Sequence, residues 1–168
     1  LISAEPLEEL DNPETYIEKI KLFDFKIMDD IYIVCARPYL QKFLDFLFKN
    51  FKVNIWTAAS KSYALFVINE FILKKNPKRQ LHCILFDTHC KLSKKKYSNA
   101  KKLEMVWNKF KDMNESNTYI IDDLEEICNG QQNNCFNISP FLFLEKDSES
   151  DTELLNLIKT MKNKFNII

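Results

Sequence analysis

The 168-residue chain contains a single glycine, Gly130. Phosphate-cradling loops of the Walker and Rossmann types need several glycines so that backbone N–H groups can close on the anion, so neither is present. Any phosphate held here is held by side chains and helix N-termini. No apolar run reaches about 18 residues, and the N-terminus (Leu-Ile-Ser-Ala-Glu-Pro) lacks a basic segment leading into an apolar one, so neither a membrane span nor a signal peptide is read. Net charge is missing too: 24 basic residues balance 24 acidic ones, which removes whole-molecule attraction to nucleic acid or an anionic membrane. The cysteines (Cys35, Cys83, Cys90, Cys128, Cys135) are odd in number and show no Cys-x-x-Cys spacing. That pattern speaks against a disulfide framework and a local zinc site, and reduced thiols in an intracellular protein are expected.

With 46% hydrophobic and 29% charged side chains, the chain fits one globular domain over residues 1–168. Residues 1–31 are irregular: Leu1 and Ile2 read as a strand tail, and Glu5-Pro6 and Asn12-Pro13 punctuate an acidic loop. Alternating Phe23, Phe25 and Ile27, followed by Met28-Asp29-Asp30, predict a hairpin into a strand over residues 31–35. Arg37-Pro38 then opens a helix over residues 38–50, with Leu40, Phe43, Leu44, Leu47 and Phe48 on one face. A strand over residues 52–57 leads to Ser60, an N-cap for a helix carrying Tyr63, Val67, Ile68 and Phe71 and closed by Asn76-Pro77. Residues 82–86 read as a strand, and the lysine-rich stretch 87–100 as a solvated loop. A packed helix over 101–110 and a strand ending at Asp122 follow. A weak strand over 135–138 and a helix over 152–165, capped by Asp151, complete the chain. Strands alternating with helices predict an α/β fold, a three-layer doubly wound parallel sheet with a small β-hairpin insert near the N-terminus.

In such a sheet ligands collect beyond the carboxyl ends of the strands. Asn117-Thr-Tyr-Ile-Ile-Asp122-Asp123 ends a buried strand in two carboxylates, a pairing suited to Mg²⁺, which prefers carboxylate and water oxygens and is often shared with phosphate. The same acids can instead open a short helix with Glu125 and Glu126, at the positive end of its dipole. Thr57 at another strand end offers a hydroxyl, and Lys101 a positive charge. A hydroxyl, a lysine and acids together suit phosphoryl transfer. Arg37 can equally be a stem packed on the sheet with a solvated head.

Several motifs occur in a recognisable order. They are Arg37-Pro with Phe43-Leu44, Ile55-Trp-Thr-Ala58 with Tyr63-Ala64, Cys90 with Tyr97 and Lys101-Lys-Leu103, Ile121-Asp122-Asp123, and Asn137-Ile-Ser-Pro140 with Asp151-Thr-Glu-Leu154. This order resembles the NLI-interacting-factor-like group of the haloacid dehalogenase (HAD) superfamily, which includes phosphatases of the RNA polymerase II C-terminal domain (CTD). The likeness covers nearly the whole chain. It implies a HAD-like Rossmannoid fold and a Mg²⁺-dependent phosphoserine or phosphothreonine phosphatase working through an aspartyl-phosphate. Carried over by motif, Thr57 and Ala58 hold the phosphoryl group and Lys101 neutralises it. Asp123 ligates Mg²⁺, with Asp122 beside it orienting the site and sharing the metal, and Arg37 is a further substrate-binding candidate. The implied partner is a phosphorylated protein or peptide, the RNA polymerase II tail being one candidate. Direct nucleic-acid contact and membrane association are not expected, and the protein is read as a monomer in the nucleus or cytoplasm.

The chain also departs from the pattern. The family's Asp-x-Asp-x-Thr, whose first Asp attacks phosphorus and whose second is general acid and base, does not occur. Family members follow that motif with Leu-Val or Leu-Ile, and Leu1-Ile2 opens this chain, so the motif is expected just upstream of Leu1. The alternative is a catalytically inactive HAD-like interaction module. A small-molecule phosphatase fits less well, since residues 1–31 do not read as a cap domain. Where CTD phosphatases commonly have Arg-x-x-Cys this chain has Asp87-Thr-His-Cys90, and Leu124-Glu125 replaces the usual Ser-Pro. The Lys91, Lys94, Lys95 and Lys96 cluster is the compensating feature available to an acidic or multiply phosphorylated partner.

Overall fold

The structure is a computed structural model and describes residues 1–9 and 13–168. Asn12, half of the expected Asn12-Pro13 break, lies outside the described residues. The chain divides into two compact units, the first built from Leu1–Lys52, Phe66–Gln80 and Phe141–Ile168, the second from Val53–Leu65 and Leu81–Pro140.

The first unit contains a three-stranded sheet in the order β1-β3-β2, with β1 Ile2–Pro6, β2 Phe25–Met28 and β3 Tyr32–Ala36. Both pairings are antiparallel, with Ser3 opposite Cys35 and Ile27 opposite Ile33. The hairpin is as expected: Asp29 and Asp30 take left-handed backbone at φ 52° and 54°, and the Ile31 N–H returns to the Met28 carbonyl at 2.9 Å. Aspartate tolerates this region better than most residues. A helix, α1 (Pro13–Ile20), stands where only loop was expected. One face of the sheet meets Phe141 and Phe143 in a core with Ile20, Phe23, Ile33 and Cys35. Phe23 packs edge-on against both phenylalanines, at 5.9 and 6.3 Å between ring centres, the arrangement that ring quadrupoles favour. Burial pushes the Cys35 thiol up to about 12.

Helix α2 (Leu40–Asn50) buries Leu40, Phe43, Leu44 and Leu47, the face its three- and four-residue spacing dictates. The Arg79 guanidinium ties it to a π-helical turn, Ile68–Leu73, by donating to the Ile72 carbonyl and the Gln41 side chain at 2.8 Å each and pairing with Asp45.

The second unit holds two parallel pairs, β4 (Ile55–Trp56) with β5 (Ile84–Leu85) and β6 (Ile120–Asp122) with β7 (Cys135–Asn137). Helix α3 (Lys61–Val67) follows β4, with Ser60 Oγ accepting the Tyr63 N–H at 3.4 Å. The stretch expected as a solvated loop is helix α4 (Asp87–Tyr97). It stands without an apolar stripe because Asp87 sits at its positive end and Lys94, Lys95 and Lys96 at its negative end. Asp87 pairs with Lys91 one turn on at 2.9 Å, and His89 Nδ1 accepts the free Phe86 N–H at 3.0 Å. Helices α5 (Leu103–Trp107) and α6 (Glu125–Cys128) follow, and Leu103, Ile120 and Ile127 form the local core.

Among the described residues the strands pair as one antiparallel sheet of three and two parallel pairs, with β3 flanked on both sides by antiparallel strands from the N-terminal segment. One expectation is corrected. The all-reduced thiols give way to a Cys128–Cys135 disulfide with Cα atoms 5.4 Å apart, leaving Cys35, Cys83 and Cys90 free. Helix α6 and strand β7 bring those two cysteines together across a turn that no Cys-x-x-Cys spacing announces.

Helix α7 (Glu153–Phe165) packs Leu154, Leu157 and Met161 inward. Asp151 caps it, accepting the Glu153 N–H at 2.8 Å, and pairs with Arg37 at 2.7 Å. Burial pushes the Asp151 carboxyl up, but the Arg37 and Glu153 hydrogen bonds prevail and its pKa is lowered. Since the folded value lies below the unfolded one, the stabilisation is present above the ordinary aspartate range and disappears as pH falls through the lowered value. Asp151→Ala strands a guanidinium whose side chain is 1% exposed, and urea unfolding at neutral pH should show a loss of about 3–5 kcal/mol. The gap between wild type and Asp151→Asn should narrow as the pH drops below that range; a gap that widens there contradicts the assignment.

Candidate active site

The parallel β6–β7 pair delivers Asp122 to a strand end, opposite Asn137. The Asp122 main chain is fixed by the Ile138 N–H at 3.0 Å and the Asn137 side chain at 3.2 Å. Its carboxylate is buried, and Lys101 Nζ donates to Oδ2 at 2.6 Å while the Leu124 N–H donates to Oδ1 at 3.1 Å. The side chains of Lys101 and Asp122 are 13% and 4% exposed. A charge-assisted bond this short in a desolvated setting holds the ammonium in one place. Asp123, the next residue, is exposed.

Thr57 follows β4, its N–H bonded to the Leu85 carbonyl at 2.9 Å and its Oγ1 accepting the Ala59 N–H at 3.1 Å. That arrangement leaves the hydroxyl proton to be donated elsewhere. Ala58 beside it is exposed. The Cys90 thiol donates to the Thr57 carbonyl at 3.5 Å. Burial pushes its pKa up, the Lys101 ammonium pulls it down, and Asp122 and Asp87 push it up. Arg37 belongs to the first unit, where its guanidinium forks onto Asp151 and lies 5.6 Å from the centre of the Phe141 ring. The solvated head anticipated for Arg37 is buried, because a carboxylate distant in sequence meets it.

Among the described residues no group of three or more His, Cys, Asp or Glu is arranged to hold a metal ion. Each Asp122 oxygen accepts one hydrogen bond and keeps a further lone pair, and the adjoining Asp123 carboxylate is exposed. One carboxylate with waters and a substrate phosphate is a normal Mg²⁺ environment; the residues fit that sparse mode and not a protein cage. The acids also serve the helix, since Asp122 holds the Leu124 N–H while Glu125 and Glu126 occupy the first turn of α6. No described helix is long and apolar enough to cross a membrane.

Sequence reasoning missed Asn99 and Gln131. Asn99 Oδ1 accepts the Lys101 N–H at 2.8 Å, and Gln131 Nε2 donates to the Lys101 carbonyl at 3.0 Å. The one available signal was the lone Gly130 beside Gln131, at φ 70°, where a turn needs left-handed backbone.

Comparison with known proteins places these residues in context. The family model described as NLI interacting factor-like phosphatase matches residues 7–166. The chain is 52% identical to a CTD phosphatase-like protein, 355R, of Invertebrate iridescent virus 6, covering 99% of this chain and 94% of that one. It is 41% identical to the 355R protein of Invertebrate iridescent virus 3, covering 96% and 90%. Among solved structures it is similar to Fcp1, an essential RNA polymerase II CTD phosphatase, with a TM-score of 0.59 and 17% identity over 98% of this chain. The chain spans only 47% of that Fcp1 chain. At that identity the likeness speaks to the fold alone, an α/β fold.

Removing one member of a buried ion pair leaves the other uncompensated, whereas removing both does not. Lys101→Met should lower the unfolding free energy by about 3–5 kcal/mol, and Lys101→Met with Asp122→Leu should lose clearly less than the sum of the single changes. Urea titrations of the four proteins measure this; simple additivity would mean that the two charges do not interact.

Proposed function

The chain belongs to the NLI interacting factor-like phosphatase family, and from that premise we propose that it is a Mg²⁺-dependent phosphoprotein phosphatase acting on phosphoserine or phosphothreonine. The observation that carries this reading is the buried Lys101–Asp122 pair at the end of one parallel strand, with Thr57 following another. The Lys101 ammonium is a fixed positive charge for the phosphoryl oxygens, preorganised so that it need not reorient as charge develops. Thr57 donates its hydroxyl proton to a phosphoryl oxygen beside Ala58, and Asp122 holds Lys101 in place. When bound at Asp123, Mg²⁺ supplies further neutralisation of the phosphoryl oxygens. A carboxylate displaces the serine or threonine oxygen from phosphorus, which leaves with a proton, and water then releases phosphate from the resulting aspartyl-phosphate. That carboxylate belongs to an Asp-x-Asp-x-Thr motif absent from the 168 residues.

The substrate is a phosphorylated protein segment. The RNA polymerase II tail is one candidate, with Asp87 in the place of an arginine favouring another sequence. The protein works as a monomer inside the cell, in nucleus or cytoplasm. On the same reading the parallel pairs belong to a doubly wound, three-layer design, which their direction and intervening helices support. The competing reading is a non-catalytic interaction module.

One assay separates the two, using the protein as encoded with any residues its reading frame carries before Leu1. The phosphatase should hydrolyse an aryl phosphate and a phosphoserine peptide, lose activity to a chelator and regain it with Mg²⁺. Asp123→Asn and Lys101→Ala should each lower kcat by roughly 10²–10³-fold. Phosphopeptide bound but never hydrolysed identifies the module, and hydrolysis indifferent to both chelator and substitutions refutes the assignment of these residues.

A further inference from the structure

Residues 99–103 carry the lysine of the candidate site, and their backbone is held almost entirely by side chains. The Lys101 N–H goes to Asn99 Oδ1 at 2.8 Å, the Lys102 N–H to Ser93 Oγ at 3.0 Å, and the Leu103 N–H to Gln131 Oε1 at 2.9 Å. The Lys101 carbonyl takes Gln131 Nε2 at 3.0 Å, and Ser93 Oγ donates to the Asn99 carbonyl at 2.7 Å. Gln131 is 7% exposed, and both of its N–H donors are used, the second on the Ile127 carbonyl at 2.6 Å. Asn99 reaches that same carbonyl at 3.1 Å. Two carboxamides thus bracket Lys101, one on its N–H and one on its C=O, and both are anchored on α6.

The anchor is itself constrained. Gln131 lies in the loop closed by the Cys128–Cys135 disulfide. Gly130 precedes it at φ 70°, and a Cβ added there would meet Lys102 Nζ at 3.3 Å. Lys102 Nζ in turn donates to the Gly130 carbonyl at 2.6 Å. A buried side chain whose donors and acceptor all serve backbone groups transmits the geometry of its own loop to them.

We propose that Gln131 is a positioning residue of the active site: seated in the disulfide-closed loop, it sets with Asn99 the backbone of Lys101 and so the place from which the ammonium meets Asp122 and substrate phosphate. The proposal rests on the phosphatase reading for its catalytic consequence but not for its structural one. Only a carboxamide both donates twice and accepts once at this position. Glutamate keeps the acceptor for the Leu103 N–H but loses the donors to Lys101 and Ile127, and methionine keeps the bulk alone.

The test measures wild type, Gln131→Glu, Gln131→Met and the exposed-neighbour control Gln132→Ala in the encoded protein, with circular dichroism melts to confirm that each is folded. Gln131→Glu and Gln131→Met should lower kcat on an aryl phosphate about tenfold or more with KM changed less than about twofold, and Gln132→Ala should match wild type. In a Lys101→Ala background the Gln131 substitutions should cost no further kcat, a non-additivity that general destabilisation does not produce. Independently of turnover, the ¹⁵N resonance of the Lys101 ammonium, assigned by its loss in Lys101→Arg, should shift in both Gln131 variants and stay put in Gln132→Ala. Unshifted resonances in folded variants overturn the proposal, as does a kcat loss that adds fully to that of Lys101→Ala. A wild type without phosphatase activity defeats the functional reading, while the resonance still decides the positioning role.

Discussion

A lysine ammonium and a carboxylate brought together out of water impose the main constraint on the second unit. Withdrawing each ion from solvent costs several kcal/mol, and their attraction offsets that only when the geometry is good and the remaining hydrogen-bonding capacity is satisfied. Lys101 and Asp122 meet both conditions through their 2.6 Å contact and the Leu124 N–H. Everything around the pair serves to keep it so. Strand β6 is only long enough to fix Asp122 against β7, and the Lys101 segment, having no strand or helix of its own, hangs on Asn99, Ser93 and Gln131.

The scarcity of glycine gives this constraint its form. A chain that cannot wrap backbone amides around phosphate must present charge and hydroxyl groups on side chains, and side chains need rigid mounts. Thr57 is mounted by its own N–H on β5, by Ala59, and by the Cys90 thiol on its carbonyl. The family to which the chain belongs is named for phosphatases. On the reading proposed above, Thr57 and Lys101 are the residues that would hold and neutralise a phosphate, and the Asp122 carboxylate braces Lys101 and the Leu124 N–H.

The legible parts of the fold were those governed by local rules. Phe43, Leu44 and Leu47 declared α2, Asp29 and Asp30 the hairpin, and Asp151 the start of α7, because spacing and capping act within a turn or two. Helix α4 was not legible: its inward residues, Cys90 and Ser93, are small, so hydrophobic periodicity had nothing to register. Pairing direction was hidden as well, since Ile2–Pro6 carries no mark that it will run antiparallel to β3. Arg37 was misread for the same reason, its partner being 114 residues away. Within the candidate site, Lys101, Asp122 and Thr57 stood out by motif. Asn99 and Gln131 did not, since an amide side chain shows its role only when the carbonyls it serves have been folded against it.

The first unit is assembled from three separated stretches, the last beginning at Phe141. Its core needs Phe141 and Phe143 beside Phe23, and Arg37 needs Asp151. During synthesis on the ribosome, the β1-β3-β2 sheet therefore emerges long before the groups that complete it, with a cation destined for burial still waiting for its counter-ion. Closure of that unit waits for the stretch from Phe141 onward, so a polypeptide cut short before Phe141 would lack both the aromatic rings that cover its hydrophobic interior and the Asp151 carboxylate that pairs with Arg37.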